Sequence, residues 1–162
     1  MRLPSVLFGT LGVAAVYFLA RTLFHDKALA LIAAVILATF PAHIHFSRLG
    51  LNNIADPLFG TLSIAFLVRG FQSNRRSDFV VAGAMLGLTQ YFYEGGRLLF
   101  PPLWAVAVLI GWLNTGRKRT HAVHALLGLF TAVLVAAPVY YTLIATHYPL
   151  TPRLTNESLA TS

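Results

Sequence analysis

The sequence predicts an all-α fold, a polytopic membrane bundle of about six transmembrane helices. Three observations predict it. Of the 162 residues, 57% are hydrophobic and only 10% are charged, less than half the charged share of an ordinary soluble domain. Mean hydropathy is +0.70. The apolar residues also come in blocks close to the roughly 20 residues that a helix needs to cross a bilayer.

Each block can be read in order. The first runs from about Pro4 to Phe24, with Pro4 tolerated in a first helical turn. His25-Asp26-Lys27 is a tight connection, and a second segment covers Ala28 to Phe46. The third begins near Asp56-Pro57, proline being favoured in a first turn, and ends about Phe71. A polar loop from Gln72 to Asp78 leads into the fourth, Phe79 to Tyr93, which Glu94-Gly95-Gly96 should break. The fifth spans Leu98 to Leu113, and the sixth runs from Val123 to Thr146 after the basic loop Gly116–Arg119. Residues 1–150 thus form a transmembrane region and 151–162 a polar tail, with Pro149 and Pro152 stopping further helix. Gly83 and Gly87, four apart, form a small-xxx-small pattern that lets helices pack closely.

Basic residues set the orientation. Eight of the twelve (Arg21, Lys27, Arg69, Arg75, Arg76, Arg117, Lys118 and Arg119) fall at one membrane face. Arg2, Arg48, Arg97 and Arg153 fall at the other, so the positive-inside rule places both termini outside the cell membrane. An outer N-terminus of three residues without a cleavable signal predicts one more helix ahead of Met1. The same clustering of Lys and Arg between apolar blocks assigns the net charge of +7 to topology and anionic lipid, not to nucleic acid. With no cysteine, disulfides, thiolate metal sites and cysteine nucleophiles are excluded.

Polar groups concentrate between Pro41 and Pro57, PAHIHFSRLGLNNIADP. His43 and His45, two apart on a helix, diverge by about 200° and make a poor chelate. They read as interfacial histidines bonded to the adjacent loop, and no metal site is predicted. Arg48 has two readings of equal weight, a fork gripping a phosphate and a snorkelling interfacial arginine. Asp56, directly before Pro57, is placed for a helix N-cap. Arg97 lies beside Glu94, where a local ion pair is the plain expectation. Tyr91, Phe92 and Tyr93 match an interfacial aromatic belt, as do Tyr140, Tyr141 and Tyr148. Asn156-Glu157-Ser158 is a glycosylation sequon on the outer side.

The order of short motifs resembles a known family. Arg2-Leu3-Pro4-Ser5 leads into a helix ending Tyr17-Phe18-Leu19-Ala20-Arg21. A second helix closes on Pro41-Ala42-His43-Ile44-His45-Phe46-Ser47-Arg48, followed by Asp56-Pro57-Leu58-Phe59. After a basic loop come Gly87-Leu88, Tyr91-Phe92-Tyr93 and Arg97. Over residues 2–150 this is similar to the N-terminal membrane region of C-type (GT-C) glycosyltransferases of the protein O-mannosyltransferase and aminoarabinose-transferase-like family.

The resemblance implies a membrane enzyme that moves a sugar from a polyprenyl-phosphate-linked donor to an acceptor at the outer face, by inverting displacement with a carboxylate base. A divalent cation or basic side chains would stabilise the departing phosphate. By the same resemblance Asp56 matches an active-site aspartate, and Arg48, Tyr93 and Arg97 match donor-binding positions. The family's principal acidic residue precedes the segment that starts here at Pro4, which implies that this chain is a fragment, inactive alone. Membrane lipids are the other implied partner. The sequence identifies neither sugar nor acceptor.

The competing class is a small non-enzymatic membrane protein, a lipid-binding scaffold or transporter component. Ion-coupled transport calls for ionisable groups or broken helices at mid-membrane. The segment centres hold essentially none, and His121 and His124 sit at the cytoplasmic end. That weighs against transport but not against a scaffold.

Overall fold

A computed structural model describes residues 3–48, 54–116 and 118–145. Arg2, the Asn52-Asn53 loop, Arg117, and everything from 146 on, including the tail and its sequon, lie outside the described residues. Among the described residues the elements are α1 Leu3–Phe24, α2 Lys27–Thr39, α3 Pro41–Arg48, α4 Ala55–Ser73, α5 Arg76–Leu88, the 3-10 turn Thr89–Tyr91, α6 Glu94–Leu113 and α7 Lys118–Ala145. No strand occurs among the described residues.

Helices α1, α6 and α7 are each long and apolar enough to cross a membrane alone, and α2 with α3 passes the same test as a pair bent by 58°. Helix α4 has 19 residues but carries Asp56 and Arg69 near its ends, and α5 has only 13. The prediction of about six spans therefore describes the number of apolar segments better than the number of full-length spans.

The second segment is not the single helix expected from Ala28 to Phe46. Pro41 crowds the residue before it out of the helical region, and Phe40 is extended at φ −68, ψ 119. Two more boundaries move. The fourth segment stops being α-helical at Leu88 and tightens into the 3-10 turn, after which Tyr93 is extended at φ −140, ψ 147. Glu94-Gly95-Gly96 does not break a helix but opens α6.

The short connections follow local chemistry. At the α1–α2 turn His25 takes φ 56, and Asp26 caps α2 by accepting the Ala28 N–H at 2.7 Å. Asn74, at φ 54, ends α4 in the same left-handed way. Arg69 pairs with Asp78 of α5 at 3.6 Å across this turn, and the Ser73 hydroxyl donates to Asp78 at 2.8 Å.

The core lies among α4, α5, α6 and α7 and is built on Leu67, Phe79, Ala82, Leu86, Trp104, Ala125 and Ala132. Without a strong hydrophobic drive in lipid, close backbone approach and interhelical hydrogen bonds hold such helices together. Both are present. The Ser63 hydroxyl of α4 donates to the Ala82 carbonyl of α5 at 2.7 Å. Gly83 of α5 packs so tightly on Gly128 of α7 that a Cβ at Gly83 would overlap the Gly128 carbonyl. This is the close approach that the Gly83/Gly87 spacing predicts. Helices α2 and α3 pack on α1 and on each other, while α6 packs on α4. The exterior is apolar, with Leu31, Ile36, Leu99, Phe130 and Tyr141 all exposed, as a lipid-facing surface requires.

Candidate functional site

Asp56 is the best-placed polar group at the face where α4 begins. It does not cap its own helix: the N-cap is Ile54, without a side-chain cap bond. Asp56 lies one residue inside the first turn, only 4% exposed. Its carboxylate faces the start of α6, so close to Gly96 that a Cβ there would overlap it. Hence the Gly95-Gly96 pair is no breaker. Glycine lets α6 start directly against the carboxylate.

The backbone N–H groups of Gly96 and Tyr93 approach Asp56 from the positive end of α6, and Arg97 lies within electrostatic reach. The N–H groups stop short of hydrogen-bond geometry, and both carboxylate oxygens are buried without a hydrogen-bond partner. Burying an ionised carboxylate without a partner costs several kcal/mol in order of magnitude.

Asp56 lines a cavity of about 440 Å³. Asp56, Tyr93, Gly96 and His43 supply the polar lining, and Phe40, Phe46, Leu99 and Phe100 most of the apolar wall. Of the four residues singled out from sequence, Asp56 and Tyr93 therefore meet in one pocket, with Arg97 beside them. Arg48 does not join the lining. It closes α3, exposed, immediately before the residues outside the described set.

Arg97 does not pair with Glu94. Its Nε donates to the Gln90 carbonyl at 2.9 Å, and the Gln90 side chain accepts from Tyr140 of α7 at 3.0 Å. Sequence reasoning passed over Gln90, whose one signal was being a polar residue inside an apolar run. His43 bonds to α1, its Nε2 lying 3.1 Å from the Gly9 carbonyl; the adjacent loop expected to hold the histidines lies outside the described residues. His45 stands on the same helix with its ring edge against Phe46. The aromatic cluster also splits: Phe92 stacks on Phe59 at 5.4 Å, whereas the Tyr91 hydroxyl donates to the Val135 carbonyl at 2.7 Å. Among the described residues no group of three or more His, Asp or Glu converges in metal-binding fashion. Asp56 is the one carboxylate in the pocket lining.

The fold is an apolar helical bundle with a buried carboxylate in the lining of a largely apolar cavity. Residues 1–141 match the profile of the dolichyl-phosphate-mannose-protein mannosyltransferases, and the chain belongs to that family of membrane glycosyltransferases. Comparison with curated proteins and with solved structures gave no match.

Proposed function

We propose that the protein takes part in moving a sugar from a polyprenyl-phosphate-linked donor to an acceptor hydroxyl at the outer membrane face. One observation carries this reading: Asp56, buried and without a hydrogen-bond partner, walls a largely apolar cavity that opens to lipid. The apolar wall suits a polyprenyl chain. Asp56 suits the proton transfer.

In the proposed step the acceptor oxygen attacks the anomeric carbon and gives its proton to the Asp56 carboxylate. The bond from that carbon to the phosphate oxygen breaks, and the electron pair leaves with the phosphate. Arg97 meets the growing phosphate charge, joined by Arg48 from the exposed end of α3 outside the lining, and Tyr93 positions the donor in the cavity. A divalent cation would share the task of charge neutralisation.

Arg97→Ala is expected to weaken binding of polyprenyl phosphate about tenfold to a hundredfold, the worth of a hydrogen bond to a charged group. Arg97→Lys should restore the charge but not the fork. Titration of the purified protein in nanodiscs, with thermal unfolding run in parallel, measures this. Unchanged affinity in a folded Arg97→Ala protein would remove Arg97 from the site.

The reading also requires the Asp56 pocket to face outward, with both termini on that side of a multi-pass protein. The same orientation puts the proposed tail, 151–162, outside and the membrane region at 1–150. Reporter fusions after Asn53 and after Ser162 are expected to report an external location. A cytoplasmic signal at Asn53 overturns the orientation and with it the outer-face donor.

A further inference from the structure

A second cavity, of about 400 Å³, lies at the opposite end of the bundle. Helix α4 measures the separation: Asp56 is in its first turn and Phe71, which lines the second cavity, is in its last. Fifteen residues of helix place them roughly 22 Å apart along the axis. The second cavity is not part of the Asp56 site.

Its walls are Trp104, Val108 and Trp112 of α6, His121 and Ala125 of α7, and Phe71 of α4. The surface is almost wholly apolar, its side-chain polar atoms belonging to Trp104, Trp112 and His121. Trp104 is 95% buried, and its indole N–H has no hydrogen-bond acceptor in the protein. The rim is cationic. The Lys118 ammonium stands over the Trp112 ring, 5.2 Å from its centre, and Arg119 follows it on the exposed start of α7. Arg76 of the neighbouring α5 lies within electrostatic reach of His124, one turn further along α7. The nearby acidic group, Asp78, is already matched by Arg69 at 3.6 Å. Leu126 and Leu129, also in the wall, are exposed, so the cavity opens sideways onto the lipid-facing surface.

We propose that this cavity is a binding site for an anionic phospholipid. One acyl chain fills the trough between α6 and α7. The negative head group meets Lys118 and Arg119 at the rim. A zwitterionic lipid fills the same trough but gains nothing from the rim. A basic rim over an apolar inter-helix pocket is the arrangement that selects anionic head groups.

The chain carries its own probe. It has two tryptophans, and both line this cavity. The full chain is reconstituted in nanodiscs, and tryptophan fluorescence is quenched with phospholipid dibrominated on an acyl chain. Brominated phosphatidylglycerol is expected to quench as though bound at least about fivefold more tightly than brominated phosphatidylcholine at equal mole fraction, the preference each basic residue confers near a membrane surface. Lys118→Ala combined with Arg119→Ala, both at exposed positions, should bring the two lipids together. Lys27→Ala, on α2 and away from this cavity, should leave the preference intact. Equal quenching by both lipids in the unmodified protein overturns the proposal. So does an equal loss from Lys27→Ala, which would mark a general surface-charge effect.

Discussion

Asp56→Asn is expected to lower sugar transfer about 10²- to 10⁴-fold, the usual contribution of a positioned general base. Asparagine keeps the volume and one acceptor oxygen but cannot take a proton. The fold should survive, because the retained oxygen can still face the Gly96 and Tyr93 N–H groups. The measurement is transfer from labelled polyprenyl-phosphate sugar in membranes, with the substitution made at the native locus, alongside thermal unfolding of the purified variant. Near-full transfer by Asp56→Asn would leave Asp56 a purely structural partner of the α6 N-terminus. A loss of transfer that merely follows a loss of folded protein would mean the same.

The largest effect on the fold is expected from Gly83→Leu. Any side chain there meets the Gly128 carbonyl, which is backbone and cannot swing aside. Helices α5 and α7, the most extensively packed pair, would have to separate. A loss of about 3 kcal/mol or more, the upper end for overpacking, should appear in denaturant unfolding of the reconstituted protein. Gly116→Ala is the matched control, since a Cβ at Gly116 has open space around it. It should stay within about 0.5 kcal/mol of the original. If Gly83→Leu is equally neutral, the α5–α7 contact does not hold the bundle together.

Much of the fold could be read from the sequence because the bilayer asks a simple question of it. Each apolar block of suitable length became a helix, and α1 runs from Leu3 to Phe24 where Pro4 to Phe24 was expected. Errors arose where distant contacts outrank local preference. Pro41 looked like an ordinary member of a long apolar segment, yet it divides that segment, since its effect on Phe40 is steric and hydropathy does not register it. Glu94-Gly95-Gly96 has the composition of a breaker. It starts α6 because its glycine is needed beside a carboxylate forty residues earlier in the chain. Asp56 looked like a cap for its own helix and instead faces the start of another. The pairing of Asp56 with Tyr93 in one pocket came only from motif order. Nothing local showed that Gln90 would hold Arg97, because its carbonyl is invisible as a side-chain signal.

The bend between α2 and α3 has a kinetic meaning. One wall of the Asp56 cavity comes from this bent pair, anchored on α1, and the other from α6, anchored on α4. Along that seam Phe40, Phe46 and Leu99 are exposed to the surrounding lipid. A hydrophobic ligand using this opening arrives by two-dimensional diffusion within the leaflet, without first crossing water. Its effective concentration is then a surface density. Diluting the membrane with inert lipid, at constant total ligand in the tube, should slow occupation of the cavity in proportion.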